Sequence, residues 1–335
     1  MRIAINGLGR IGRCIVRALY EADGTNQLTL AAINEPAELA AMAHLLRFDS
    51  THGRFHTPVT VQGDGLRIGD DHVVVTQEKD IDRLAWGDLD VDLVLECSGR
   101  FTTRADAQRH LARGAHRVLF SCPAQADVDA TIIYGLNHHL LSAHHRIIAN
   151  GSCTSNCISH PIAMLNDAYG IQSAAITTIH SVMNDQPVID AYHNPDLRKN
   201  RASTSSIIPV DTGLAKGLER LFPELSGRFS ALAMRVPVAN VSAMLLHAVV
   251  QRTTTAKEVN TLFRRAAATA LEGIVGYTEE PLVSCDFNHD PRSAVIDGSH
   301  TKVCNDTQIT TLAWFDNEWG FANRMLDTAK AISAL

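Results

Sequence analysis

The chain has 335 residues, of which 45% are hydrophobic and 20% charged, and its formal net charge is -6. That length and composition predict two globular domains with sizeable cores and exclude a disordered or coiled-coil chain. The acidic balance argues against a broad electrostatic grip on nucleic acid or an anionic membrane, and no apolar run is long enough to span a bilayer.

In the first half, Arg2 to Asn6 is a short apolar run ending in Gly7, and Ile11, Ile15, Ala18, Leu19 and Ala22 then recur at helical spacing. Further apolar runs follow at Leu28 to Ile33, Val91 to Leu95, Val118 to Phe120 and Ile147 to Ala149, with a helical stretch at Ala105 to Ala112. Strands alternating with helices predict a mostly parallel sheet covered on both faces, an α/β fold of the doubly wound Rossmann type. Because Met1 to Asn6 leads straight into a strand, no export signal is expected; the seven irregularly spaced cysteines then read as free thiols in a reducing cytoplasm.

The first turn reads Asn6-Gly7-Leu8-Gly9-Arg10-Ile11-Gly12, a G-x-G-x-x-G between strand and helix. Its glycines allow a tight turn and close approach of backbone to a pyrophosphate at a helix N-terminus. Glu35 stands at the end of the second strand, where an acid accepts from ribose hydroxyls and repels a 2′-phosphate, so NAD is favoured over NADP. Ser98-Gly99, Ser121 and Asn150-Gly151-Ser152 close other strands and should line the carboxyl edge of the sheet.

After Cys153 the pattern changes. A helix runs to Tyr169, interrupted by Pro161, and strands are expected at Ala174 to Ile179, Phe229 to Val236, Val241 to Val250, Ala294 to Ile296 and Ile309 to Phe315. Helices are expected at Ala256 to Leu271 and Gly320 to Leu335. This predicts an α+β domain with a mostly antiparallel sheet. Residues 184–211 form a long Pro-, Asn-, Ser- and Arg-rich segment of the kind that serves function or an interface.

Cys153 sits at a strand-to-helix turn, where unpaired N–H groups lower a thiol pKa, and His180 at the next strand end offers a partner base. Cys157 reads as packing, and Cys14, Cys97, Cys122, Cys285 and Cys304 as core or near-core thiols. No metal-ligand spacing accompanies the sixteen histidines, so no metal is expected.

Ala4 to Arg13, Ser152-Cys153-Thr154-Ser155-Asn156-Cys157, Arg235-Val236-Pro237 and Trp314 to Gly320 resemble the glyceraldehyde-3-phosphate dehydrogenase superfamily. Within it, His180 to Gln186, Val188 to His193, Ile207 to Thr212 and Asp286 to Pro291 resemble the branch that acts on erythrose 4-phosphate, a source of pyridoxal 5′-phosphate precursors. The resemblance implies a Cys153 nucleophile, with His180 moving protons and Asn317 holding the nicotinamide carboxamide. Gly7, Gly9, Arg10, Ile11, Gly12, Glu35 and Ser121 would hold the rest of NAD. Ser152, Thr154, Lys199, Thr212, Gly213 and Arg235 would hold a small phosphorylated aldose. It implies an NAD domain over 1–152 with helix 319–335 packed on it, a catalytic domain over 153–318, and a homotetramer in which 184–211 reaches a neighbour's cofactor. Three departures stand out: Met183 replaces a usual threonine, Lys199 an arginine, and Asp211 lies in a turn usually rich in Thr or Ser. If Asp211 faces the pocket, it repels inorganic phosphate and leaves water to release the product. A phosphorylating triose enzyme and a non-catalytic dinucleotide or RNA binder are the competing readings.

Overall fold

A computed structural model gives the fold over residues 1–22, 27–192 and 194–335. His193, which closes one of the stretches carrying the resemblance, lies outside the described residues. The chain divides into two compact units, 1–152 with 321–335, and 153–320.

In the first unit, β1 (Arg2–Asn6) leads through the glycine turn into α1 (Arg10–Glu21). Then come β2 (Thr29–Asn34), α2 (Leu39–Arg47), a small hairpin of β3 (Phe48–Asp49) and β4 (Gly53–Arg54), and β5 (Val59–Gln62), β6 (Gly65–Ile68) and β7 (Asp71–Thr76). They are followed by β8 (Leu93–Glu96), α3 (Arg104–Ala112), β9 (Arg117–Phe120), β10 (Ala130–Thr131) and β11 (Ile147–Ala149). The sheet order is β10-β11-β9-β8-β1-β2-β7-β6-β5. It is parallel from β10 to β7, while β7, β6 and β5 pair antiparallel, so the sheet is mostly parallel, as expected. Those edge strands carry polar residues such as Thr60, Gln62, Arg67 and His72, which masked them among loops. The central strands are buried, which is why they read as unbroken apolar runs. Thr103 and Asp106 form a reciprocal cap that starts α3.

Strand order reverses between β1 and β8, and the glycine turn lies at that reversal, where ligands bind such sheets. Gly7 has φ +96°, and a Cβ there would lie 2.5 Å from the Ser98 backbone. A Cβ on Gly12 would lie 2.2 Å from the Gly7 carbonyl oxygen, whereas one on Gly9 would meet nothing within 4 Å. Two of the three glycines therefore serve packing, and the third keeps a face of the turn open.

The second unit contains α4 (Cys153–Tyr169), β12 (Ile171–His180), β13 (Ile208–Val210), α5 (Leu214–Leu221), β14 (Phe229–Arg235), β15 (Ser242–Val250), α6 (Ala256–Ala267), β16 (Val275–Thr278), β17 (Ala294–Cys304) and β18 (Gln308–Phe315). Its sheet order is β13-β14-β12-β15-β18-β17-β16, with β12–β14 and β16–β17 parallel and the other pairs antiparallel, so it is mixed. Helix α4 packs across β15, β17 and β18 and touches α5 and α6. It runs unbroken through Pro161, contrary to expectation. The proline removes one backbone donor, and the buried face of Cys157, Ile158, Ile162 and Leu165 holds the helix across the gap. The segment 184–211 holds a short helical turn, Leu197–Asn200, and β13. Cys285 and Cys304 are exposed rather than near-core: Cys304 is the last residue of β17, and Cys285 lies in a short helical turn, Ser284–Phe287, outside the sheet.

The final helix, α7 (Trp319–Ser333), continues into the first unit, where Thr328 Oγ1 donates to Asn150 Oδ1 at 2.7 Å. No helix among the described residues is long and apolar enough to cross a membrane.

The two roles of the glycines separate by experiment. Gly12→Ala forces a methyl into a backbone oxygen and is expected to lower unfolding stability by about 1–3 kcal/mol in urea titration. Gly9→Ala is expected to stay within about 1 kcal/mol of the parent and to weaken dinucleotide binding instead.

Candidate active site

Asn6, Gly7, Gly9, Asn34, Glu35 and Ser98 line a cleft of about 210 Å³ beside the glycine turn. Glu35 Oε2 accepts the Leu8 N–H at 2.9 Å, so the strand-end acid braces the turn itself. The open face at Gly9 and the backbone donors around it suit a pyrophosphate. Beneath lies a carboxylate the sequence reading passed over. Glu96 is buried; its Oε1 accepts from the Ser98 N–H and hydroxyl, and its Oε2 from Asn6 Nδ2 and His110 Nε2. Trp86 Nε1 donates to His110 Nδ1 at 2.9 Å, which leaves His110 Nε2 as the proton-bearing nitrogen facing Glu96. Asn34 extends the chain by donating to Asn6 Oδ1 at 2.7 Å.

The other cofactor candidates stand apart from that cleft. Arg10 opens α1, and its guanidinium is paired with both oxygens of Asp49. Burial works against that carboxylate, but Arg10 and the N–H groups of His52 and Thr51 outweigh it and hold its pKa well below the usual range. Ile11 follows, half-buried. Ser121 donates its N–H to the Glu96 carbonyl at 3.0 Å, and its side chain meets Cys97.

Cys153 opens α4, flanked by half-buried Ser152 and Thr154, and its sulfur receives the backbone N–H groups of Thr154 and of Cys153 itself. His180 ends β12 and brings Nε2 to 3.7 Å from the sulfur. Its Nδ1 lies 2.8 Å from the Ser181 carbonyl oxygen, so Nδ1 carries the proton and Nε2 turns its lone pair on the thiol. Burial pushes the Cys153 thiol up to about 11, against the pull of Thr154 and Arg235. This corrects the expectation of a lowered pKa: desolvation outweighs the helix end. Burial likewise presses His180 down to about 4, with the nearby Arg235 adding to the effect. Burial thus disfavours the charged form of each group, and Nε2 is placed where it could accept the thiol proton.

Arg235 ends β14, and the parallel pairing of β12 with β14 places it opposite His180. Arg235 Nη1 donates to Asp185 Oδ1 and Gln186 Oε1, each at 3.1 Å, and Lys199 Nζ lies 3.3 Å from Asp185 Oδ2. Asp185 thus bridges the two cations. Burial disfavours its charge, but Arg235 and Lys199 prevail and hold its pKa low. The sequence reading quoted Asp185 only within a stretch of resemblance and missed this role. Thr212 and Gly213 stand instead at the start of α5, where Thr212 Oγ1 accepts the Leu214 N–H at 3.2 Å. Asp211 lines a surface cleft with Asp196, Leu197 and Arg198, and Met183 is exposed. The carboxylate found between the two cations is Asp185.

Asn317 lies in the turn between β18 and α7. Its neighbour Asp316 fixes that turn, accepting the Glu318 and Trp319 N–H groups through Oδ1 and Asn240 Nδ2 and the His289 N–H through Oδ2. Asn317 Oδ1 accepts from the hydroxyls of Ser181 and Ser242, each at 2.9 Å.

The first unit carries a dinucleotide turn, and the second a half-buried cysteine beside a buried histidine and bridged cations, features that suit an oxidoreductase. The comparisons are more specific. Residues 1–104 match the NAD-binding domain of glyceraldehyde 3-phosphate dehydrogenase, and residues 152–317 match its C-terminal domain. The chain belongs to the glyceraldehyde-3-phosphate dehydrogenase family, NAD-dependent oxidoreductases acting on an aldehyde.

Without His180 the thiol has no proton acceptor at neutral pH. His180→Asn is expected to slow alkylation of Cys153 by iodoacetamide at pH 7 by at least about tenfold. The rise of that rate with pH moves toward the thiol's own value of about 11. An unchanged profile would show that the imidazole does not serve as base.

Proposed function

We propose that the chain oxidises D-erythrose 4-phosphate to 4-phosphoerythronate, with NAD as acceptor and water releasing the product from Cys153. The observation that carries this reading is the bridged Arg235–Asp185–Lys199 group beside the Cys153–His180 pair. Two cations can hold a substrate phosphate, while the carboxylate between them lowers the positive charge on offer to free phosphate. Lys199 in place of an arginine forgoes bidentate geometry, and Met183 brings no hydroxyl donor.

In this mechanism His180 Nε2 takes the thiol proton as sulfur adds to the aldehyde carbon. The Cys153 N–H and the imidazolium stabilise the resulting oxyanion. When bound, the nicotinamide supplies the two-electron acceptor that converts the adduct into a thioester. The oxyanion gives up no proton at that step; His180 passes the thiol's proton to solvent and, neutral again, deprotonates the water that attacks the acyl carbon. Tetrahedral collapse returns the proton to sulfur and frees the acid. Gly7, Gly9, Arg10, Gly12 and Glu35 hold the dinucleotide, with Ser121 and Ile11 nearby. Asn317 Nδ2 donates to the carboxamide. Ser152, Thr154, Thr212 and Gly213 frame the aldose.

Turnover measured with erythrose 4-phosphate and with glyceraldehyde 3-phosphate, each with and without inorganic phosphate, tests the reading. The expected result is phosphate-independent oxidation, with kcat/KM for the four-carbon sugar at least about tenfold higher. Strict phosphate dependence with the triose preferred would make the chain a phosphorylating enzyme.

The same reading makes the enzyme a cytoplasmic homotetramer that engages neither nucleic acid nor membrane. Val188, Ile189, Tyr192, Leu197 and Ile207 are exposed along the segment 184–211, an apolar surface that a second copy would cover. Sedimentation equilibrium should give four times the 36.4 kDa chain mass, and Tyr192→Asp should shift the population to smaller species. A parent protein that sediments as monomer would remove the oligomer.

A further inference from the structure

Ser181 uses all its polar groups. Its N–H donates to Ser242 Oγ at 3.1 Å, its carbonyl accepts from His180 Nδ1 at 2.8 Å, and its hydroxyl donates to Asn317 Oδ1 at 2.9 Å. Ser242 accepts the Ser181 N–H and donates its own proton to the same Asn317 oxygen at 2.9 Å. Ser181, Ser242 and Asn317 are all buried. A primary amide can rotate its oxygen and nitrogen between two nearly isosteric positions. With two hydroxyl donors converging on Oδ1, the flipped amide would set NH2 against both of them and leave buried donors without acceptors. The side chain therefore has one orientation, with Nδ2 presented away from the hydroxyls.

We propose that Ser181 and Ser242 form a hydroxyl clamp, a pair of positioning residues that locks the Asn317 amide with its donor toward the nicotinamide carboxamide oxygen. The proposal rests on the assignment of Asn317 to that carboxamide. The clamp shares the Ser181 peptide with His180, so one segment of backbone sets both the proton acceptor and the cofactor anchor. Loss of the hydroxyls frees the amide to rotate while the backbone bond to His180 stays.

The test is NAD binding by isothermal titration calorimetry without substrate, alongside iodoacetamide alkylation of Cys153 and thermal unfolding of the free protein. Ser181→Ala and Ser242→Ala singly are expected to raise the Kd by a few-fold, because one hydroxyl still selects the orientation. The double variant is expected to raise it by about tenfold or more, beyond the product of the single effects. Alkylation should stay within twofold of the parent in all three, which a general disturbance of the fold would not allow. The single variants keep the proposal decidable if the double variant does not fold, because fully unchanged affinity in both singles overturns it. Asn317→Ala separates the two layers. If it weakens NAD binding while the double serine variant binds as the parent does, the clamp is overturned and the anchor stands. If Asn317→Ala leaves the Kd unchanged, the anchor fails and the clamp with it.

Discussion

Charge withdrawn from water is the constraint on which the chemistry depends. The Cys153 sulfur and His180 Nε2 lie 3.7 Å apart, and burial pushes the thiol up to about 11 and the imidazole down to about 4. Neither ion is tolerated alone. A proton shifted from sulfur to nitrogen creates both charges at once and adjacent, so their attraction offsets much of the desolvation that forbids each separately. Two backbone N–H groups at the start of α4 and the guanidinium of Arg235 then favour the thiolate end of the pair. In the proposed mechanism the thiol would become an ion by that internal transfer. The fixed tautomer of His180 makes that transfer directional, because the Ser181 carbonyl accepts the Nδ1 proton and leaves Nε2 as the acceptor.

A similar rule governs the first unit. Glu96 is buried, yet its two oxygens receive donors from Ser98, Asn6 and His110. Both oxygens of the buried side chain are thereby satisfied. The partners it organises belong to the glycine turn and the neighbouring strand end, so the floor of the dinucleotide cleft is set by hydrogen bonding rather than by loop conformation. The Gly7 and Gly12 contacts depend on this as well, since the close approach of Gly7 to Ser98 tolerates no side chain. Rigidity here comes from a polar network in which every named group has a partner, and such a network specifies one geometry more sharply than apolar packing does.

Periodicity and turn chemistry made much of this legible. The apolar runs of β1, β8 and β9 announce a sheet buried on both faces, and the G-x-G-x-x-G turn with Glu35 announces its ligand edge. Cys153 and His180 could be read as partners because each closes or opens an element beside a strand end. What escaped the reading shares a physical reason. The edge strands β5 and β6 have four residues each with polar residues interspersed, so no run stands out in them, and the three valines of β7 are bracketed by polar residues. Apart from the Ser98 contacts of Glu96, Asp185, Ser242 and Glu96 act through residues between 14 and 90 positions away in sequence, which no local pattern encodes. The expected fall in the Cys153 pKa missed because a helix end is visible in a sequence and the depth of burial is not. Asp211 was weighed as the anion-site carboxylate because it is near Thr212 in sequence; the contacts instead put Asp185 between the cations.

That substitution of one carboxylate for another changes how specificity is to be understood. A carboxylate that merely faced the pocket would act as a fixed repulsive charge. Asp185 does more, because it is hydrogen-bonded to Arg235 and 3.3 Å from Lys199, so any anion entering between the cations competes with it for their donors. Competition of this kind penalises a small free anion most, since such an anion gains nothing except those donors. Under the proposed function, a phosphate carried on an aldose would have its position fixed by the covalent adduct at Cys153 and would meet the cations as an intramolecular partner, at a far higher effective concentration. The same three side chains can thus retain a tethered phosphate and discourage a free one. The discrimination needs no steric barrier, and it follows from the thiol chemistry of the neighbouring pair.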